Sequence, residues 1–280
     1  MSLASADVPP SVLCFATGDA TGGGGLQSDV LTLASMGCHP LTVVAAVAVR
    51  DTRGVDELFA LDADAVAAQA RAVLEDIPVR AFKLGMVGSV ENVAAIAEIL
   101  SDYAELPLVL EPALSYVDGD DAGADELLAA LAELIVPQAT VLVASRHEIM
   151  RLATASLDAD DDEELTLDEA VAHLLERGAG YVLLTGAGEP GAQVINILMG
   201  AEGVVRTDAW ERLPGRFLGA GATLAGAFAA ALAHGMEVPE AAREAQEFTW
   251  QALSGAYRPG MGLALPDRFF WARPEEMSDD

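Results

Sequence analysis

Three places in this sequence bring together residue types that could handle a phosphate. The first is GDATGGGG, residues 18–25. Glycines there let backbone amides approach a ligand and take up positive φ, although a tight structural turn would ask for the same residues. The run is not a Walker loop, because no GK[ST] follows. It is not a dinucleotide fingerprint either, because no acid stands ~20 residues further on; that also argues against a nucleotide-dependent dehydrogenase. The second place is PGRFLGAGATLAGAFAAAL, residues 214–232, where Gly219, Ala220 and Gly221 precede a run of small residues. Bare amides at a helix N-terminus receive anions, and a transferred phosphoryl group is one. A glycine turn entering a core helix is the other reading of this segment. The third is a scattered set, Lys83, Glu111 and Glu148. Two carboxylates at strand ends suit Mg²⁺, held directly or through water; acids in such places also serve as helix caps or solvated groups.

Strand ends must present these residues, and the hydrophobic pattern supplies the strands. Val12–Thr17 is a short apolar strand running into the glycine run. Leu26, Val30, Leu33 and Met36 then recur at helical spacing until Gly37. Buried strands follow at Leu41–Val49, Val79–Lys83, Leu108–Leu110, Thr140–Val143 and Tyr181–Leu184. Between them lie helical segments at Ala65–Leu74, Asn92–Leu100, Glu126–Leu134 and Leu167–Leu175. Val194–Leu198 and Gly203–Arg206 read as a hairpin pair. A small-residue helix over Thr223–Ala233, closed by Gly235, and a helix over Glu240–Ala256 complete the pattern. Alternation of this kind predicts a mainly parallel sheet with helices on both faces, a three-layer α/β/α sandwich. Ligands of such sheets sit beyond the carboxyl ends of the strands.

Composition narrows the partners. With a net charge of −29, the surface repels nucleic acid and acidic membranes. The longest apolar run, Leu41–Val49, is about half the ~20 residues of a membrane helix, and the start of the chain has no signal-peptide pattern. A cytoplasmic location is expected. Cys14 and Cys38 fall in or beside apolar segments without metal-ligand spacing and read as reduced core residues. In LDADDDEEL and the residues after it, Asp158, Asp160, Asp162 and Glu169 match calcium-loop positions. Glu163 stands where that loop needs glycine, so the stretch reads as a solvated acidic loop. Lys83 is the lone lysine of this acidic chain.

Taken together, GDATGGGGLQSDVLTLASMG, RDTRGV, VAAQARAVLEDIPVRAFKLGMVGS, LGAGATLAGAFAAALAHG and GMGLALP resemble, in order and spacing, the hydroxymethylpyrimidine and phosphomethylpyrimidine kinases of thiamine biosynthesis, within the ribokinase-like superfamily. The resemblance implies one ribokinase-like domain over residues 1–280. It also implies ATP and Mg²⁺ as cofactors, a small heteroaromatic alcohol or its phosphate as substrate, and a homodimer. Residue by residue, it places Asp29 against the pyrimidine and Met86 on its ring, makes Gly219 and Gly221 the anion hole, and assigns Glu148 to metal and phosphate. Five positions depart from the pattern. Ala222 stands where the family has its catalytic cysteine, Arg50 replaces a pyrimidine-binding glutamine, and Glu111 replaces a metal-side aspartate. Ser145 replaces an asparagine, and Thr185 a nucleotide-side lysine. Arg50 cannot reproduce an amide's donor–acceptor pair; two roles are open to it, meeting a substrate phosphate or carboxylate, or serving as a surface charge. The expectation is a kinase that is slow or altered in substrate, with a binding or regulatory homologue that has lost the chemistry as the alternative.

Overall fold

The computed structural model describes residues 8–114, 122–157, 165–188 and 191–273. Nine strands form one sheet in the order β3-β2-β1-β4-β5-β6-β7-β8-β9. β1 (Ser11–Asp19) lies parallel between β2 (His39–Arg50) and β4 (Val79–Leu84), and β5 (Leu108–Leu110), β6 (Val141–Ser145) and β7 (Tyr181–Thr185) continue in parallel. The two edges run antiparallel: β3 (Val55–Ala60) on one side, and the hairpin of β8 (Gln193–Gly200) and β9 (Gly203–Glu211) on the other.

The period of two along β1 shows why helices cover both faces. Leu13 and Phe15 join one core, which includes residues of α2 (Ala63–Leu74), α3 (Val90–Ser101), α4 (Ala122–Ala130), α5 (Arg146–Ala155) and α6 (Leu167–Glu176). Val12, Cys14 and Ala16 join the other, with α1 (Gly25–Ser35), α7 (Ala220–Ala233) and α8 (Val238–Ser254). The mainly parallel three-layer sandwich expected from the sequence is the fold found. Cys14 and Cys38 are buried and unpaired. Among the described residues, no helix is long and apolar enough to cross a membrane.

Two elements went unread in the hydrophobic pattern. β3 is an edge strand with no fully buried residue, so it lacks a hydrophobic face. α5 buries only Ile149, Leu152 and Ala153. Of the acidic stretch, Asp158, Asp160, Asp162 and Glu163 lie outside the described residues. Glu169 accepts from the amide and hydroxyl of Thr166 in the capping box of α6.

Candidate active site

The strand ends open into a cavity of about 560 Å³. Its walls include Arg50, Met86, Glu111, Glu148, Thr185, Gly219, Gly221 and Ala222, residues that are far apart in sequence. Arg53, Lys83 and Arg216 line it as well, so cations ring a pocket in a strongly acidic chain. Of the site residues that the resemblance assigns, Asp29 alone is missing from the wall. It is fully buried beneath it.

One wall is the start of α7. Its N-cap, Gly219, sits at φ +82, and no side chain caps the helix. Among the described residues, the amides of Ala220, Gly221 and Ala222 have no hydrogen-bond acceptor. They are the donors that every helix N-terminus leaves unpaired, and here they border the cavity. The αL conformation requires glycine at 219 for a second reason: an added Cβ would overlap the carbonyl oxygen of Gly23.

The glycine run packs against that turn, and a buried carboxylate shapes it. Asp19 accepts from the amide and hydroxyl of Thr21 and from the amide of Gly24. The Arg50 guanidinium lies 3.4 Å from the same carboxylate, with its side chain only 5% exposed. Of the roles open to Arg50, surface charge is therefore removed.

At the floor, Lys83 on β4 reaches Glu111 at 2.9 Å and the Asp29 carboxylate beneath at 3.1 Å. Burial alone would lower the lysine's pKa. The charges of Asp29 and Glu111 outweigh it and hold the ammonium above its ordinary value. Burial raises Asp29 to about 6 despite Lys83. Because this acid is raised in the folded state, the native protein holds the extra proton between about pH 4 and 6. Its contribution to stability therefore falls as pH rises through that window. Stability measured by denaturant from pH 4 to 7 is expected to decline less steeply with rising pH, or climb more, in Asp29→Asn than in the wild-type protein. An unchanged slope would contradict the assignment.

Glu111 turns its other oxygen, Oε1, toward the start of α7, where a Cβ on Gly221 would lie 2.9 Å from it. Glu148 behaves differently. Its Oε2 accepts from the Ser145 amide and hydroxyl in the capping box of α5, and its Oε1 from the Leu114 amide. The turn that delivers Leu114 passes through Ala113 at φ +51, a conformation uncommon for a residue other than glycine. Among the described residues, no three His, Cys, Asp or Glu side chains cluster as a metal cage. Glu111 Oε1 is a carboxylate oxygen placed to hold a cation, whereas both oxygens of Glu148 already accept hydrogen bonds.

The Ser145-x-x-Glu148 box, a helix signal readable in the sequence, went unused. Arg53 and Arg216 were missed because a lone arginine in a loop carries no pattern. Lys83 stood out by being the lone lysine, but its partners are not deducible from spacing.

Known proteins share this fold. The model of the phosphomethylpyrimidine kinase family matches residues 19–266. The chain is similar to a hydroxymethylpyrimidine/phosphomethylpyrimidine kinase of Streptomyces coelicolor, 34% identical over 271 residues that cover 95% of this chain and 97% of that protein. Its similarity to the Mycobacterium tuberculosis protein of the same description is 35% over 257 residues, covering 91% and 92%. Among solved structures, an ADP complex of Bacillus subtilis pyridoxal kinase superposes with a TM-score of 0.80 at 25% identity, over 94% of this chain and 98% of that one. A phosphomethylpyrimidine kinase from Clostridium difficile gives 0.68 at 27% identity, over 85% and 98%.

Proposed function

Since the chain belongs to the phosphomethylpyrimidine kinase family, a family of phosphotransferases, we propose that it transfers the γ-phosphoryl group of ATP to the hydroxyl of a small heteroaromatic alcohol or to its monophosphate, and does so slowly. The observation that carries the reading is the row of amides at Ala220, Gly221 and Ala222, open to the cavity. In this proposal they take the developing charge on the transferring oxygens. Arg50 and Met86 border the substrate, and Asp29 acts on it through Lys83. Thr185 and Glu148 stand on the nucleotide side. Glu111 holds Mg²⁺, with Glu148 acting through water; the ion, when bound, neutralises phosphate charge. The chain acts as one kinase domain. A homodimer belongs to the same proposal, and the outward side of β2 and β3 offers Val47, Val49 and Phe59 to a second copy.

Slowness follows from Ala222. It lines the cavity at the position where the resemblance implies a cysteine, and nothing on its methyl group accepts a proton. A positioned base contributes roughly 10²–10⁴-fold, whereas alignment and charge stabilisation supply most of phosphoryl transfer. The wild-type protein is therefore expected to release ADP with hydroxymethylpyrimidine, its phosphate or pyridoxal as acceptor. Ala222→Cys should raise that turnover by about 10²-fold or more. No turnover by either protein, with the acceptors still bound, would leave a binding homologue in place of a kinase. In that case activity would depend on restoring lysine at Thr185 as well.

A further inference from the structure

Two residues past the end of the family match at 266 lies an arginine that no local pattern singles out. Arg268 is 3% exposed. Its fork spans three segments: Nη1 donates to Gly22 O (3.1 Å) and Nη2 to Gly23 O (2.7 Å), both in the glycine run. Nη2 also donates to Ser28 Oγ on α1 (2.7 Å), and Nε to Thr223 Oγ1 in the first turn of α7 (3.1 Å). A Cβ on Gly219 would lie 3.1 Å from Nη2, so the guanidinium stands directly behind the phosphate turn.

All four partners are neutral oxygens. Among the described residues, no carboxylate lies within ion-pair distance of Arg268, whereas the buried Lys83 has two. Burial lowers its pKa to about 10, so it remains a cation at neutral pH. Asp29 and Asp19 favour the cation from beyond ion-pair distance, and burying an arginine without a directly bonded counter-ion is costly. The cost has a use if an anion arrives on the far side of the glycine it supports.

We propose that Arg268 is the counter-charge of the phosphate turn: it fixes the glycine run against the start of α7 and sets a positive charge behind that turn, which favours a phosphoryl group bound on the cavity side. The residue touches neither the cavity nor the reacting atoms, so it is a positioning residue. The inference rests on the phosphotransferase reading above.

Two variants of the full chain separate charge from scaffolding. Arg268→Gln keeps amide donors for the loop carbonyls and loses the charge; Arg268→Lys keeps the charge and loses the fork. Each is titrated with inorganic phosphate by calorimetry, assayed for turnover of Mg·ATP with hydroxymethylpyrimidine, and melted thermally, at a temperature where all are folded. Arg268→Gln is expected to weaken phosphate binding about 10-fold and to lower kcat about 10- to 100-fold, with KM for the acceptor unchanged, while Arg268→Lys stays within about 3-fold of wild type. Wild-type phosphate affinity and kcat in Arg268→Gln would overturn the inference. So would equal losses in both variants that track their melting temperatures, which would mark a scaffold only. A wild-type protein that neither binds phosphate nor turns over ATP would overturn the parent reading, and this inference with it.

Discussion

Replacing Lys83 by methionine is expected to cost roughly 3–5 kcal/mol of stability, the range for stranding buried charge by removing its partner. The side chain is 1% exposed and joins Asp29 on α1 to Glu111 at the end of β5. Without it the Glu111 and Asp29 carboxylates are left unpaired at and beneath the cavity floor, and one must take up a proton or draw in water. The deficit should therefore shrink as pH falls from about 7.5 to 5, since protonation relieves it. The double variant Lys83→Met/Asp29→Asn should recover part of the loss, because the two sites are coupled. Denaturant melts at both pH values check this. A single-variant loss below about 1 kcal/mol, within the range of ordinary surface changes or little more, would show that the triad carries no such charge pairing.

The second large effect is expected at Gly219. Gly219→Ala must place a Cβ on a residue at φ +82, against the carbonyl of Gly23. The turn can relax only by moving the amides of Ala220 and Gly221, and losing one well-placed oxyanion donor costs about 10²–10³-fold in turnover. Gly235→Ala is the control. It lies just past the other end of the same helix at φ +86, with nothing within 4 Å of the added carbon. It carries the same backbone strain, about 1–2 kcal/mol, and should leave turnover near wild type. Equal losses in the two variants would assign the Gly219 effect to strain rather than to the phosphate turn.

How far the sequence disclosed this arrangement depends on the range of each interaction. Val12–Thr17 and Tyr181–Leu184 announced themselves because a strand buried on both faces is a continuous apolar run. β3 did not, since an edge strand with Val55 and Leu58 only half-buried has no such signature. The glycine turns at 18–25 and 219–221 were visible as composition, and they do face the cavity at Gly24, Gly25, Gly219 and Gly221. What stayed hidden was pairing across the fold. Lys83 and Glu111 are 28 residues apart, and Arg268 and Gly23 are 245 apart. No local pattern encodes either contact. The burial of Arg50 was hidden for the same reason: it depends on Asp19, a neighbour only once β1 and β2 pair.

The most direct measurement is a calorimetric titration of the wild-type protein and Gly219→Ala with a Mg²⁺ complex of a non-hydrolysable ATP analogue, alongside ADP. Amides open at the start of α7 predict that wild type binds the triphosphate more tightly than the diphosphate, and that Gly219→Ala abolishes this preference while still binding ADP. Equal affinity of wild type for the two nucleotides, or no binding of either, would contradict it.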